Sequence, residues 1–205
     1  MATITRGAKA GGGTGFNAGQ TIDPAEVNTD FNTVYTEFNG NIANVNVLAT
    51  AAIALTKGAA AGARVYNSAN ISVSDNTDTL LTFDTERYDT DAFHSTSTNT
   101  GRLTIPTGFG GRYLLTGHVS IAAGTDYSSV YIWIRLNGAT IIALHGETPS
   151  TFSFPKTLSI ATLYTAVATD YFELLVNQDN TAPASRNCTA SANYSPEFSI
   201  TLVGA

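Results

Sequence analysis

The feature that most constrains the fold of this chain is a change of hydrophobic periodicity near Gly62. Before it, apolar residues recur every three or four positions, a spacing that places them on one face of a helix. After it, apolar and polar residues alternate in short runs, as in residues 131–136, which is typical of β-strands. The order predicts a helical stalk over residues 22–62 followed by a β head over residues 63–205.

The helical segment has a strong start and a weak outer surface. Asp23 can cap it, Pro24 suits its first position and Glu26 completes a capping-box-like pattern. Its apolar stripe has heptad-like spacing, whereas its outward positions are Asn and Thr, which are poor helix formers. We therefore predict that the stripe packs in a bundle of identical chains; the alternative is packing on the chain's own β head. The predicted stalk contacts are Val27, Phe31, Val34, Phe38, Ile42 and Val45.

Residues 1–21 are rich in glycine and have no periodic apolar pattern, so we expect them to act as an arm that anchors the protein to a larger assembly. They also lack the apolar core of a signal peptide, and no later stretch has the length of a membrane span. We expect a chain that is made in the host cytoplasm and does not insert into a membrane.

The composition argues against nucleic-acid binding and against stabilisation by a disulfide within the chain. The net charge is -6 and no basic stripe is present, which argues against nucleic-acid binding. The single cysteine, Cys188, excludes an intrachain disulfide, and we expect it to be a small buried apolar residue.

The second part of the chain predicts many short strands separated by turn signals. Asn137-Gly138 between two β-rich runs is the clearest hairpin turn. Strands without helical interludes predict a mainly β sandwich or barrel, and a jelly roll fits this length. The predicted strands are 63–68, 70–74, 79–84, 92–95, 101–106, 111–122, 128–137, 139–145, 157–166, 171–177 and 196–203.

Four landmarks occur in order along the head: the paired runs 63–67 and 80–84, the paired runs 101–106 and 111–115, the run 168–176 and the closing run 198–203. These landmarks resemble the C1q/TNF-like jelly-roll family. Departures from the family pattern include Leu103 in place of a phenylalanine and Thr169 in place of a glycine. The resemblance implies a jelly-roll β-sandwich that associates as a trimer.

The N-terminal part resembles a different group of proteins. The pattern A-x-V-N-x-D-F-N-x-V over residues 25–34, between a glycine-rich arm and a small β head, is similar to bacteriophage virion fibres and appendages. Such proteins are typically homotrimers, so both resemblances imply the same threefold symmetry.

The strand over residues 128–137 has two different faces. Alternation places Val130, Ile132 and Ile134 on the core face. The opposite face is aromatic, and large apolar patches rich in Trp, Tyr and Arg mark interfaces. The predicted trimer interface of the head is therefore Tyr131, Trp133 and Arg135, and the alternative is that a long loop of the same subunit covers Trp133.

No catalytic or cofactor motif is present, so we expect neither enzymatic activity nor a bound cofactor. His94, His118 and His145 have no metal-ligand spacing and are interpreted as core, interface or surface residues. An acidic cluster at residues 84–91 is interpreted as a solvated loop, with a weak calcium site and a catalytic carboxylate pair as alternatives.

Together these patterns predict a structural protein of the phage virion, a homotrimeric tail fibre or spike that mediates host attachment. The arm would bind a capsid or tail protein, and head loops 123–129 and 177–187 would bind a glycan or protein of the host surface. The alternative is a capsid-attached head fibre or decoration protein that stabilises the shell. A third class, a secreted bacterial adhesin or soluble C1q-like ligand, would need an export signal, and residues 1–21 show none. The candidate receptor residues are Asp126, Tyr127 and Asn180.

Overall fold

A computed structural model describes residues 61–148, 154–191 and 194–204, together with Asn28, Phe31 and Asn32. The chain divides into two units, Met1–Gly58 and Ala59–Ala205. In the first unit the three described residues are helical and exposed. The predicted arm and the other five predicted stalk contacts, Val27, Val34, Phe38, Ile42 and Val45, lie outside the described residues. The division into arm, stalk and head therefore stays a prediction.

The second unit consists of twelve strands among the described residues. Among those residues, no helix is long and apolar enough to cross a membrane. The strands are β1 (Gly62–Tyr66), β2 (Ile71–Val73), β3 (Thr79–Leu80), β4 (Thr85–Asp89), β5 (Arg102–Thr104), β6 (Gly111–Ile121), β7 (Tyr127–Leu136), β8 (Thr140–Glu147), β9 (Lys156–Ala166), β10 (Tyr171–Asn180), β11 (Arg186–Cys188) and β12 (Glu197–Gly204).

The strands form two antiparallel sheets. The larger sheet has the order β2-β11-β6-β12-β1-β4, and β9 pairs with β6 along its other side. The smaller sheet has the order β3-β10-β7-β8, and β5 also pairs with β10. The predicted mainly β sandwich is confirmed by this arrangement.

The core lies between the sheets and is built from one face of each long strand. On β7 the side chains of Val130, Ile132 and Ile134 are fully buried, as the alternation predicted. They pair in register with β10, where Leu174 lies opposite Ile134. Antiparallel sheets that bury one face and expose the other produce this alternation. Each sheet therefore has an outer face that remains for other contacts.

The hairpin between β7 and β8 confirms the turn that was predicted at Asn137-Gly138. Asn137 and Gly138 have φ angles of 50° and 71°, the left-handed pair that a two-residue type I′ turn requires. The Asn137 side chain also donates to the Asp170 carboxylate at 2.8 Å and accepts from the Tyr171 amide at 2.9 Å. The turn is thus attached to the start of β10.

Cys188 is free and fully buried, which confirms its interpretation as a core residue. Burial raises the pKa of its thiol to about 12, because the charged thiolate is disfavoured away from water. The thiol is therefore an inert packing group.

The short elements differ from the prediction in several places, and the strand predicted over residues 79–84 forms only at Thr79–Leu80. Residues 85–89 form the edge strand β4 instead of a solvated loop, and charged side chains are common on such edges. Residues 92–95 are not a strand, and Ala92 has a left-handed φ of 62°. Strand β11 was missed because a run of three residues, Arg-Asn-Cys, is too short to show alternation.

Candidate functional site

The outer face of the smaller sheet carries the predicted interface residues. On β7 the side chain of Trp133 is 7% exposed, so most of the indole is buried within its own chain. Register places Leu175 of β10 on one side of it and Leu144 of β8 on the other. Trp133 is therefore largely buried, with strand residues and not a long loop beside it, and the predicted head interface stays a prediction.

Arg135, the third predicted interface residue, is held inside the subunit by an acidic partner. Glu173 lies opposite it on β10, and the Glu173 side chain is 3% exposed. The Arg135 guanidinium contacts the carboxylate at 2.9 Å, and Arg102 of β5 reaches its other oxygen at 3.3 Å. The Arg102 guanidinium also stacks over Tyr171, 4.0 Å from the ring centre. One buried carboxylate thus joins β5, β10 and β7.

Beside this ion pair the same face forms a depression of about 330 Å³, which we call the Trp133 groove. Its floor contains Tyr131 and Trp133, and β8 contributes Ile141 and Leu144, which are 54% and 59% exposed. The remaining lining is polar: Asn76, Asp78, Ser129, Asn177 and Asp179. Sequence reasoning missed this polar lining, although the outward alternation of β10 at positions 173, 175, 177 and 179 was a signal for it.

The outer face of the larger sheet has a second cluster of exposed apolar side chains. Leu114 of β6 pairs with Leu163 of β9, and the two are 38% and 66% exposed. We call Leu114 and Leu163 the leucine patch.

A depression of about 290 Å³ on the same sheet contains a second buried carboxylate. Glu197 is 2% exposed and forms ion pairs with both Arg64 and Arg87. His118 lies opposite it on β6. Burial lowers the pKa of His118 below its usual value, although the Glu197 charge acts in the opposite direction. His118 is therefore a neutral ring beside an Arg–Glu–Arg group.

Two of the three candidate receptor residues are not on the surface. Tyr127 begins β7, Asn180 ends β10, and the register pairs them with each other. Tyr127 is 2% exposed and donates its hydroxyl to the Ala122 carbonyl at 2.7 Å; burial raises its pKa to about 12. Asn180 is 5% exposed, and its amide donates to the Gln178 side chain at 2.6 Å. The strands extend into both predicted loops, which corrects the prediction that these side chains are presented to a ligand.

Asp126, the third candidate, remains partly exposed and pairs with Arg186. The Arg186 guanidinium lies 5.5 Å from the ring centre of Tyr127. The three candidates therefore lie near one another, but they hold the ends of β7 and β10 together instead of forming an open site.

The acidic cluster is divided among separate contacts. Asp84 accepts from the Ser68 amide at 2.8 Å, and Asp89 accepts from the amides of Phe93 and His94 at 3.1 and 2.8 Å. Glu86 contacts the buried His94 ring at 2.9 Å. In the part of the chain that the structure describes, no group of three His, Cys, Asp or Glu side chains is arranged to hold a metal ion. The calcium interpretation of residues 84–91 stays a prediction.

Comparison with solved structures finds similar folds at low sequence identity. The globular domain of zebrafish complement 1qA protein is 13% identical, with 70% of this chain and 97% of that chain covered and a TM-score of 0.49. The Eiger TNF of S. frugiperda is 14% identical, with 71% of this chain and 93% of that chain covered and a TM-score of 0.49. No family model and no curated protein matches the chain. Similarity at this level concerns the fold and says nothing about what this chain binds.

Proposed function

We propose that this chain is a trimeric appendage of a phage virion, a fibre or spike that mediates host-surface adsorption through its β head. The observation that carries the proposal is Phe31, which is helical and 69% exposed. It belongs to the apolar stripe of the predicted stalk, and an exposed phenylalanine on a helix with polar outward positions calls for a partner. Identical helices around a symmetry axis supply that partner at every position of the stripe.

The head also offers a surface for self-association. The leucine patch exposes two large apolar side chains that are neighbours on an antiparallel sheet face, and exposed apolar patches mark interfaces. On the predicted interface, by contrast, Trp133 is largely buried and Arg135 is bound to Glu173. We therefore assign the contact between heads to the leucine patch, which leaves the outer face of the smaller sheet for the host.

Sedimentation of the purified protein tests the assembly. The full chain should sediment as a trimer, and Phe31→Asp should shift it towards monomer, whereas Asn28→Asp on the same helix should not. Leu163→Asp should weaken association of the heads, and the matched control is Thr157→Asp, which lies on the same strand about 20 Å away. A monomeric wild-type chain at micromolar concentration refutes the assembly.

Binding of labelled protein to host cells, together with its position on intact particles, tests the role. Protein on the tail or on a head fibre that also binds cells supports adsorption. A chain that covers the capsid and binds no cells is a decoration protein that stabilises the shell. Deletion of residues 1–21 should abolish incorporation into particles while the head remains folded, and normal incorporation would refute the anchoring arm.

A further inference from the structure

The Trp133 groove has an apolar floor whose geometry is imposed by the sheet. Register places Tyr131 of β7 beside Gly146 of β8. A Cβ atom on Gly146 would lie 2.1 Å from Cδ1 of Tyr131, so the phenol ring lies directly over the glycine. An aromatic ring that covers a glycine in the neighbouring strand is a stabilising cross-strand pair. The floor is therefore a fixed aromatic surface that continues into Trp133 and Leu144.

The wall of the groove is polar and acidic. Strand β10 directs Asn177 and Asp179 outward, and the segment before β3 contributes Asn76 and Asp78. The Asn177 amide donates to the Asp78 carboxylate at 2.8 Å, which attaches that segment to β10. Within the described ranges no side chain pairs with the Asp179 carboxylate, which leaves this acceptor for a ligand.

An apolar floor beside a wall of carboxylates and amides matches the two kinds of surface on a sugar ring. The C–H face of a pyranose packs on aromatic and aliphatic side chains, and its hydroxyl groups donate to carboxylate and amide oxygens. The charged groups that line the groove are Asp78 and Asp179, so an anionic ligand is repelled and an amine is attracted. A volume of about 330 Å³ is at the small end for ligand pockets and suits one or two rings.

A second copy of this chain fits the groove poorly. The chain carries a net charge of -6, so another copy brings further acidic groups towards two carboxylates that would lose their water. The polar wall also favours a ligand with many hydroxyl groups over a flat apolar protein surface.

From these features we infer that the Trp133 groove binds a carbohydrate unit without acidic groups, a hexose or a hexosamine. The inference rests on the proposed function, because it names the class of host-surface ligand that the head recognises. It replaces the loop site around Tyr127 and Asn180 with a sheet face formed by β7, β8 and β10.

Trp133 is the only tryptophan in the chain, so its fluorescence reports directly on the groove. The full-length protein is titrated with the methyl glycosides of glucose, galactose and N-acetylglucosamine, with glucosamine, and with sialyllactose as the acidic control. At least one neutral or amino sugar should change the emission saturably, with a dissociation constant on the order of 1 mM for a single ring. Sialyllactose should produce no saturable change beyond that of its neutral lactose unit.

Two variants test the geometry. Asp179→Asn keeps the shape and removes one charged acceptor, so binding should weaken about tenfold. Asp91→Asn is the matched control, because Asp91 lies outside the groove and accepts from Thr90. Gly146→Ala forces the Tyr131 ring away from β8 and should abolish the fluorescence response. The melting temperature of Asp179→Asn should be unchanged, which shows that its weaker sugar binding is not due to unfolding.

The outcomes separate this site from the proposed function. Absence of a saturable change with every neutral and amino sugar, or equal affinity in Asp179→Asn, overturns the inference. An emission change on dilution of the protein alone assigns the groove to a second copy and also overturns it. Cell adsorption that survives Asp179→Asn places the receptor contact elsewhere while the function stands. Sugar binding by a protein that adsorbs to no cells refutes the function and keeps the site.

Discussion

Neutralising Glu173 should destabilise the head far more than neutralising an exposed glutamate of the same chain. In Glu173→Gln the side chain keeps its size, but the guanidinium groups of Arg135 and Arg102 lose a shared carboxylate that is 3% exposed. Breaking a buried ion pair from one side costs about 3–5 kcal/mol. The arginine side chains are 27% and 35% exposed, so water can solvate the guanidinium groups and reduce this cost. We therefore expect the free energy of unfolding to fall by about 2–3 kcal/mol.

The matched control is Glu147→Gln. Glu147 pairs with Lys156 at 2.6 Å, but the two side chains are 32% and 36% exposed. An exposed pair contributes about 0–1 kcal/mol, because water competes for both charges and the side chains lose entropy on pairing. Each variant removes one carboxylate charge, so the contrast measures the effect of burial together with that of the second arginine partner.

Thermal unfolding at one fixed protein concentration measures the difference, since association couples the melting temperature to concentration. A loss of about 2–3 kcal/mol in a unit of this size should lower the melting temperature by roughly 5–12 °C, and Glu147→Gln should lower it by less than about 3 °C. Equal shifts in the two variants would refute the reasoning that burial strengthens the Glu173 contacts. A variant in which Arg102, Glu173 and Arg135 are all replaced by apolar residues should recover most of the loss.

Three further predictions concern single residues. Gly62→Ala should destabilise the head by about 3 kcal/mol or more in chemical denaturation, because a Cβ atom there would lie 2.2 Å from the Ile200 carbonyl oxygen. A loss of stability below about 1 kcal/mol would show that β1 and β12 can separate freely. Because the pKa of His118 is lowered in the folded state, its contribution to stability is full above about pH 6.5 and is lost as the pH falls towards the folded pKa. His118→Gln should flatten the stability profile in that range, and an unchanged slope would contradict the assignment. Cys188 should not react with a thiol reagent until the chain unfolds, because the thiol is buried and its pKa is about 12; rapid labelling of the native protein would place it at the surface.

The sequence predicted the faces of the long strands because strand periodicity is a local property. Alternation on β7 separated Val130 and Ile132 from Tyr131 and Trp133, and in the structure the first two lie in the core while the last two line the groove on the opposite face. The turn at Asn137 and Gly138 was equally predictable from the sequence, since the left-handed backbone of a type I′ turn selects those residue types. Such features depend on neighbours in the chain and need no knowledge of the partner strand.

The candidate site could not be predicted in the same way. Tyr127 and Asn180 lie in segments with turn-like composition, and only the pairing of β7 with β10 buries them against each other. The Trp133 groove joins β7, β8 and β10 with the segment before β3, so its polar wall and aromatic floor come from positions up to 103 residues apart, from Asn76 to Asp179.

The sequence by itself determined where the long strands lie, which of their faces enters the core, where the clearest hairpin turn is and that the one cysteine is buried, but it did not predict the short strands β4 and β11. The tertiary structure decided the rest: which carboxylates are buried between arginines, which aromatic side chains are covered by neighbouring strands and where a groove remains. The physical reason is that backbone periodicity is set by adjacent residues, whereas exposure, ion pairing and groove shape depend on strands that are distant in the chain and meet only when the sheets assemble.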